Sequence, residues 1–106
     1  MVVDDEAYNC EVLRTMLRAL EVPNLEERLT VCINGREAMK AIKTNDRPYR
    51  VILTDLSMPV MDGYQLISRV RRHYESNEQQ QPIIAALTGH TEEEFVNLAF
   101  SKGADQ

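Results

Sequence analysis

Short apolar runs alternate with amphipathic segments along this chain. Residues 1–3 (MVV), 50–54 and 82–87 (PIIAAL) are nearly all apolar, which is typical of parallel strands covered on both faces. Residues 28–33 (RLTVCI) alternate polar and apolar, as a half-exposed strand does. Each run is followed by a segment with helical spacing, so the pattern predicts a strand and then a helix, repeated four times.

Four helices are predicted from apolar residues spaced three or four apart and from residues that start or end helices. The expected buried stripes are Leu13, Met16, Leu17 and Leu20 in the first helix and Leu66, Ile67, Val70 and Tyr74 in the third. The end signals are Asn34-Gly35, the capping-box pairs Asp62 with Gln65 and Thr91 with Glu94, and a C-cap glycine, Gly103.

Strict alternation of strands and helices predicts a parallel sheet with right-handed crossovers and helices on both faces. In such sheets the ligand site lies beyond the carboxyl ends of the strands. Polar residues follow three of the strands at that edge. They are Asp4 and Asp5 after the first strand, Asp55 after the third and Thr88 after the fourth.

The composition fits one globular domain. The chain has 106 residues, 43% of them hydrophobic and 27% charged, and a formal net charge of -5. This acidity argues against general binding to nucleic acid or to anionic membrane surfaces. Arg69, Arg71, Arg72 and His73 form a basic cluster, which is interpreted as a solvated face at a helix end.

The sequence predicts a cytoplasmic protein. Cys10 and Cys32 lack metal or redox spacing, and we expect both to be reduced and packed as small hydrophobes. No stretch has the length of a membrane span, and acidic residues stand where a secretory signal would be basic. Tethering to a membrane kinase within a larger protein is compatible with this expectation.

Three converging carboxylates repel one another, and a hard divalent cation with oxygen ligands relieves this repulsion. Mg²⁺ suits the pattern, because it accepts a few carboxylates and leaves positions for phosphate oxygens. One carboxylate could itself be a nucleophile that forms an aspartyl-phosphate. Thr88 and the backbone N–H groups of Leu56 and Gly89 are candidate neutral donors to a phosphoryl group.

Taken together, these segments resemble the receiver domain of two-component response regulators, which has the CheY-like chemotaxis-regulator fold. The resemblance rests on VVDDE at 2–6, NGREAMKAI at 34–42, VILTDLSMPVMDG at 51–63, PIIAALTGH at 82–90 and SKGADQ at 101–106. It covers essentially the whole chain. It implies a doubly wound α/β fold with strand order 2-1-3-4 and a phosphorelay function.

The resemblance also implies roles for individual residues. Asp55 matches the phosphoacceptor, and Asp5 matches the carboxylate that binds Mg²⁺ directly. Asp4 matches a neighbour that acts through bound water, and the backbone carbonyl of Ser57 matches the third protein ligand. Thr88 matches the switch hydroxyl. The expected partners are a histidine kinase or a histidine phosphotransfer protein, with no nucleic acid or membrane contact by this domain.

The sequence departs from the family at its C-terminus. Receivers continue into a fifth strand with an aromatic switch residue and a lysine, then a fifth helix, whereas this sequence ends at Gln106. We therefore expect residues 1–106 to be a single, C-terminally incomplete receiver domain. Its exposed sheet edge is expected to favour self-association, and without the lysine it should bind Mg²⁺ but phosphorylate slowly.

Two other functions remain open at this point. A receiver-shaped interaction module without phosphorylation fits the missing lysine. A phosphatase of the haloacid dehalogenase type also uses an aspartyl-phosphate, but it requires a second aspartate where Ser57 stands. His90, two residues after Thr88, is interpreted either as a solvated loop residue or as a residue at the pocket mouth. A receiver would catalyse its own phosphorylation and dephosphorylation, alone or within a hybrid kinase.

Overall fold

A computed structural model describes residues 1–45, 47–58, 60–87 and 93–106. The strands are β1 (Val2–Val3), β2 (Val31–Cys32), β3 (Val51–Asp55) and β4 (Ile83–Leu87). The helices are α1 (Ala7–Ala19), α2 (Leu25–Arg28), α3 (Gly35–Thr44), α4 (Gly63–Ser76) and α5 (Glu93–Lys102). None of the helices in these described ranges is long and apolar enough to cross a membrane.

The four strands form one parallel sheet in the order β2-β1-β3-β4, which confirms the predicted topology. The register pairs Val3 of β1 with Thr54 of β3, and Asp55 with Leu87 of β4. Because the central strands β1 and β3 are neighbours, Asp4 and Asp55 reach the same edge of the sheet. The topology thus places the predicted site where strand order reverses.

One face of the sheet is buried more completely than the other. Ile52 and Thr54 of β3 are fully buried, whereas Val51 is exposed and Leu53 half-buried on the opposite face. The helices α3, α4 and α5 pack side by side over the buried face. The predicted α4 stripe, Leu66, Ile67, Val70 and Tyr74, lies in this core. Full burial of such an aliphatic side chain contributes roughly 1.5–3 kcal/mol.

Two predicted helix starts are confirmed by hydrogen bonds. Asn34 Oδ1 accepts from the backbone N–H of Glu37 over 2.7 Å at the start of α3. Asp62 Oδ1 accepts from the N–H of Gln65 over 2.8 Å, and the Gln65 side chain accepts from the N–H of Asp62. This capping box fixes the first turn of α4. The second predicted box includes Thr91, which lies outside the described residues.

The prediction of a strand over residues 28–33 is partly wrong. Val31 and Cys32 pair with β1, but Arg28 is the last residue of the short helix α2, and Leu29 and Thr30 belong to neither element. Arg18 of α1 donates to Glu26 of α2 over 2.6 Å. A contact between two successive helices therefore accompanies a helical turn that the alternation of polar and apolar residues does not reveal.

The predicted buried stripe of α1 is also partly wrong. Leu13 and Leu17 are half-buried, but Met16 is 57% exposed and Leu20 74% exposed. Cys10 is the buried residue of this helix. Two of the four predicted stripe residues therefore face solvent.

Arg71 is not part of a solvated basic face, contrary to prediction. Its Nε and Nη2 atoms donate to the carbonyl oxygen of Gly103 over 2.9 and 2.8 Å. Its Nη1 donates to the carbonyl oxygen of Pro82 over 2.7 Å, and its Nη2 donates to Asp105 Oδ2 over 2.7 Å. This one guanidinium joins α4 to the chain before β4 and to the chain after α5.

The residues after α5 return to the sheet. Gly103 ends α5 with a φ of 118°, which agrees with the prediction of a C-cap glycine. The N–H of Asp105 donates to the carbonyl oxygen of Ile84 over 2.8 Å. The N–H of Ala86 donates to the carbonyl oxygen of Gln106 over 2.8 Å. The outer edge of β4, expected to be unpaired, is thus paired at these positions. Self-association through the sheet edge stays a prediction.

Both cysteines are free and buried, as predicted. Burial raises the pKa of the Cys32 thiol to about 11. Burial also raises the pKa of Cys10, and the nearby Asp4 carboxylate adds to this effect. Both side chains therefore stay protonated at neutral pH and pack as small apolar groups.

Candidate functional site

Asp4 is a buried carboxylate directly after β1, with 4% of its surface exposed. Its backbone N–H donates to the carbonyl oxygen of Cys32 over 3.0 Å, so Asp4 is anchored to the sheet. The N–H of Glu6 donates to Asp4 Oδ1 over 2.9 Å, and Asn9 Nδ2 donates to Asp4 Oδ2 over 3.2 Å. Each carboxylate oxygen has one protein donor, which fixes the orientation of the group.

Asp55 is the last residue of β3 and is half-buried. The N–H of Ser57 donates to Asp55 Oδ1 over 3.3 Å. The Thr54 hydroxyl donates to the carbonyl oxygen of Asp55 over 2.9 Å, and the N–H of Gly63 donates to that of Leu56 over 2.9 Å. The strand end and the loop that follows it are therefore held together around this carboxylate.

The three carboxylates predicted from the strand ends do converge. One oxygen from each of Asp4, Asp5 and Asp55 lies within 4.8 Å of the other two. Burial raises the pKa of Asp55, and the negative charges of Asp4 and Asp5 raise it further, although the Ser57 and Leu56 amides oppose this. The surroundings of Asp55 therefore disfavour its ionised form.

Asp4 and Asp55 open onto a cleft of about 500 Å³ that α1 also lines. Its lining residues are Asp4, Asn9, Val12, Leu13, Asp55, Ala86 and Leu87. The cleft is wide enough for a cation and a phosphoryl group beside Asp55. Its apolar wall comes from α1 and the end of β4.

The donor set suits a hard divalent cation. Every candidate ligand is an oxygen, and in the described ranges no lysine or arginine forms a salt bridge with these aspartates. A cation with oxygen ligands would offset the mutual repulsion of the cluster. The arrangement is thus able to hold Mg²⁺, although three acidic side chains do not by themselves select it over other hard cations.

The structure brings together the side chains of Asp4, Asp5 and Asp55, and the N–H of Ser57 donates to Asp55. The role of the Ser57 carbonyl oxygen as a ligand stays a prediction. Leu56 is buried next to Asp55, and its amide contributes to the electrostatics of the carboxylate. The predicted switch hydroxyl Thr88, the amide of Gly89 and the side chain of His90 lie outside the described residues. Their roles stay predictions.

Sequence reasoning missed Asn9. This residue lies in the first turn of α1, donates to Asp4 and lines the cleft. A signal was available, because a helix predicted to start at Ala7 places residue 9 close to the end of the preceding strand. A polar residue in a first turn is ordinarily explained as a capping or solvated group, so the position did not stand out.

Comparison with known proteins decides the family. The profile of the response regulator receiver domain matches residues 1–106. The chain belongs to the response regulator receiver domain family. The haloacid dehalogenase alternative is therefore set aside.

Relatives of this receiver domain include much longer signalling proteins. It is 29% identical over 105 residues to hybrid signal transduction histidine kinase A of Dictyostelium discoideum, a match that covers 99% of the chain and 5% of that kinase. The chain spans a small fraction of the length of such relatives. A receiver domain of this kind is thus one module within them.

Solved receiver domains share the fold. The receiver of the Saccharomyces cerevisiae response regulator Ssk1, co-crystallised with the histidine phosphotransfer protein Ypd1, has a TM-score of 0.84 and 24% identity, covering 99% of this chain and 72% of that one. The receiver of the Arabidopsis thaliana histidine kinase CKI1, complexed with Mg²⁺ and BeF₃⁻, has a TM-score of 0.81 and 24% identity, with coverages of 97% and 74%. These likenesses confirm the CheY-like architecture.

Proposed function

We propose that this receiver domain accepts a phosphoryl group on Asp55 from a phosphohistidine and thereby acts as a signalling switch. The observation that carries the proposal is the convergence of Asp4, Asp5 and Asp55 within 4.8 Å at the mouth of the cleft. Asp55 suits the acceptor role, because it is half-buried close to the buried Asp4 and the exposed Asp5, and its carboxylate is held by the Ser57 amide.

The transfer forms a bond between an Asp55 carboxylate oxygen and phosphorus. The phosphorus–nitrogen bond of the phosphohistidine breaks, and its electron pair returns to the imidazole. Dephosphorylation is the attack of water on the same phosphorus, which releases inorganic phosphate and restores the carboxylate. The protein contributes positioning and charge stabilisation rather than further covalent chemistry.

In this proposal Asp5, Asp55 and the Ser57 carbonyl hold Mg²⁺, with Asp4 beside them. The bound ion would neutralise charge on the phosphoryl oxygens. The amides of Leu56 and Gly89 and the hydroxyl of Thr88 would donate hydrogen bonds to the phosphoryl group. The Mg²⁺ and BeF₃⁻ complex of the CKI1 receiver supports this assignment by analogy of fold.

The proposed partner is a histidine kinase or a histidine phosphotransfer protein that docks on α1. Tyr8, Val12 and Met16 are spaced four residues apart on that helix, and all three are exposed. Val12 also lines the cleft, so this apolar stripe is continuous with the Asp55 site. A donor protein that delivers a phosphohistidine to Asp55 must cover this neighbouring surface. The cytoplasmic location expected from the sequence is part of the proposal.

Two phosphoryl donors, a phosphorylated histidine phosphotransfer protein and acetyl phosphate, separate the effect of docking from the effect on chemistry. Tyr8→Ser should slow phosphoryl transfer from a phosphorylated histidine phosphotransfer protein by about tenfold or more, the effect of losing an aromatic interface residue. It should leave the rate with acetyl phosphate unchanged, since that small donor needs no docking surface. Leu98→Ser, a change of an exposed residue on α5, is the control. Equal transfer rates for both variants would remove α1 as the docking surface.

The acceptor assignment is tested by phosphoryl incorporation from acetyl phosphate with Mg²⁺. Wild type should take up one phosphoryl group that is labile in both strong acid and base, as an acyl phosphate is, and Asp55→Asn should take up none. Asp62→Asn is the matched control, because Asp62 is a carboxylate of the same loop and asparagine can still accept the capping hydrogen bond. No incorporation by wild type after prolonged incubation would favour a receiver-shaped interaction module instead.

A further inference from the structure

The carboxylate cluster contains one feature that the acceptor chemistry does not use. Asn9 Nδ2 donates to Asp4 Oδ2 over 3.2 Å. In the described part of the chain, this is the one hydrogen bond from a side chain to a carboxylate oxygen of the three clustered aspartates. The other donors to these carboxylates are the backbone N–H groups of Glu6 and Ser57.

Asp4 needs such a donor more than its neighbours do. It is almost completely buried, whereas Asp5 is exposed and Asp55 half-buried. A buried carboxylate that lies close to two others is unfavourable unless its lone pairs accept hydrogen bonds. The backbone N–H of Glu6 donates to Oδ1, so without Asn9 the second oxygen, Oδ2, would have no donor among the described residues.

The chemical type of the donor also matters. A lysine or arginine at this position would neutralise Asp4 and compete with a cation for it. The amide of asparagine is neutral, so it orients the carboxylate and leaves its negative charge available. Hydrogen bonds of this kind to a ligating or neighbouring carboxylate are typical of metal sites, where their loss costs about 10–100-fold in metal affinity.

We propose that Asn9 is a positioning residue that preorganises the aspartate cluster for a divalent cation by holding Asp4 in place. The inference rests on the proposed function of the cluster, and it concerns a residue to which that function assigns no role. Asn9 lies in the first turn of α1, and its backbone N–H donates to the carbonyl oxygen of Glu6 over 3.0 Å. The helix start and the orientation of the carboxylate are therefore coupled.

The test is the affinity of the metal-free 106-residue chain for Mg²⁺, measured by calorimetric titration. Asn9→Leu keeps the size of the side chain and removes the donor, so Mg²⁺ affinity should fall about tenfold. Asn9→Gln restores an amide on a longer side chain and should recover part of this loss. Some stability of the metal-free protein should be lost as well, because Asp4 Oδ2 then lacks its donor, so the affinity of each variant is measured well below its melting temperature.

The control is Asn97→Leu, the same substitution on α5 at an exposed position without a hydrogen bond to the described residues. It should leave Mg²⁺ affinity unchanged. If Asp5→Asn weakens Mg²⁺ binding and Asn9→Leu does not, the role of Asn9 is wrong and the site assignment stands. If Asp5→Asn and Asp55→Asn both bind Mg²⁺ as wild type does, the proposed function itself fails. An equal loss of affinity in Asn9→Leu and Asn9→Gln would show that the amide is not what matters.

Discussion

Gly63 packs directly against the backbone of Asp55. A Cβ atom at Gly63 would overlap the carbonyl oxygen of Asp55 and lie 2.6 Å from the Cα atom of Leu56. Real Cβ atoms do not come so close to backbone atoms, and backbone cannot rotate away as a side chain can. The first residue of α4 is therefore glycine because the helix begins in contact with the strand that carries the candidate acceptor.

Gly63→Ala should displace Asp55 and destabilise the domain. Accommodating the methyl group requires a shift of backbone, which costs about 1–3 kcal/mol in a packed region. We expect a lower free energy of unfolding in denaturant titrations and slower phosphorylation by acetyl phosphate. Both effects share one cause, since the clash is with the acceptor residue itself.

Gly35→Ala is the matched control for this prediction, because Gly35 is also the first residue of its helix. A Cβ atom there would lie 3.0 Å from atoms of Met61, two of which belong to its side chain. The smaller overlap should make this variant less destabilised than Gly63→Ala, with phosphorylation nearly unchanged. Equal losses in the two variants would contradict the account.

The charge of Asp55 should cost stability when no cation is bound. Burial raises the pKa of Asp55 above its ordinary value of 3.8, so the folded protein retains this proton to higher pH than the unfolded chain does. Folding is therefore penalised at neutral pH, and the penalty disappears as the pH falls through the folded-state pKa. Asp55→Asn removes the charge and should raise the melting temperature near neutral pH.

Thermal unfolding in the presence of a chelator, at a series of pH values, measures this effect. The stability gained by Asp55→Asn should shrink as the pH is lowered and vanish below the unfolded-state pKa. Added Mg²⁺ should stabilise wild type more than the variant. A gain that stays constant at all pH values would show that the charge is not its cause.

Val60 is strained in the loop between β3 and α4. Its φ is 73°, in the left-handed region that β-branched residues avoid, and its side chain is 74% exposed. Asparagine tolerates this conformation, so Val60→Asn should stabilise the domain by about 0.5–1 kcal/mol. Val60→Ile keeps the branched side chain and should give no gain. Denaturant titration of both variants decides the question.

Arg71→Met should loosen the C-terminal end of the domain. The side chain is 20% exposed and its guanidinium donates to Gly103, Pro82 and Asp105. Hydrogen bonds to a charged group are each worth about 1.5–3 kcal/mol at most, so we expect a loss of roughly 2–3 kcal/mol. Hydrogen exchange should quicken at the amides of residues 104–106.

Arg72→Met is the control for this prediction, because Arg72 is the adjacent residue of α4 and is exposed. It should change stability by less than about 0.5 kcal/mol. If Arg72→Met were as destabilising as Arg71→Met, the effect would come from lost charge on the helix rather than from the contacts of Arg71.

Local patterns in the sequence predicted the parts of the fold that local interactions determine. The capping box of Asp62 and Gln65, the start of α3 after Asn34 and the buried stripe of α4 depend on residues a few positions apart. The convergence of Asp4 and Asp55 was also predictable, because parallel strands bring their carboxyl ends to one edge. Sequence order and strand pattern together were enough to predict that Asp4 and Asp55 meet at the centre of the site.

Contacts between segments distant in sequence were not predictable in the same way. Arg71 reads as one of several basic residues at a helix end until the chain after α5 is folded against it. The short helix α2 was not predicted, and its ion-pair partner Arg18 lies on another helix. Asn9 acquires its role only when α1 is placed over the end of β1. In each case the type of residue was known from the sequence, but the residue that it contacts was not.

The most direct test of the central claim is to locate the phosphoryl group chemically. Borohydride reduces an aspartyl-phosphate to homoserine, which peptide mass spectrometry assigns to one position. After incubation of the 106-residue chain with acetyl phosphate and Mg²⁺, the account predicts homoserine at Asp55 and unmodified Asp4, Asp5 and Asp62. Homoserine at one of those other aspartates, or a stable phosphoryl group with no homoserine, would contradict it.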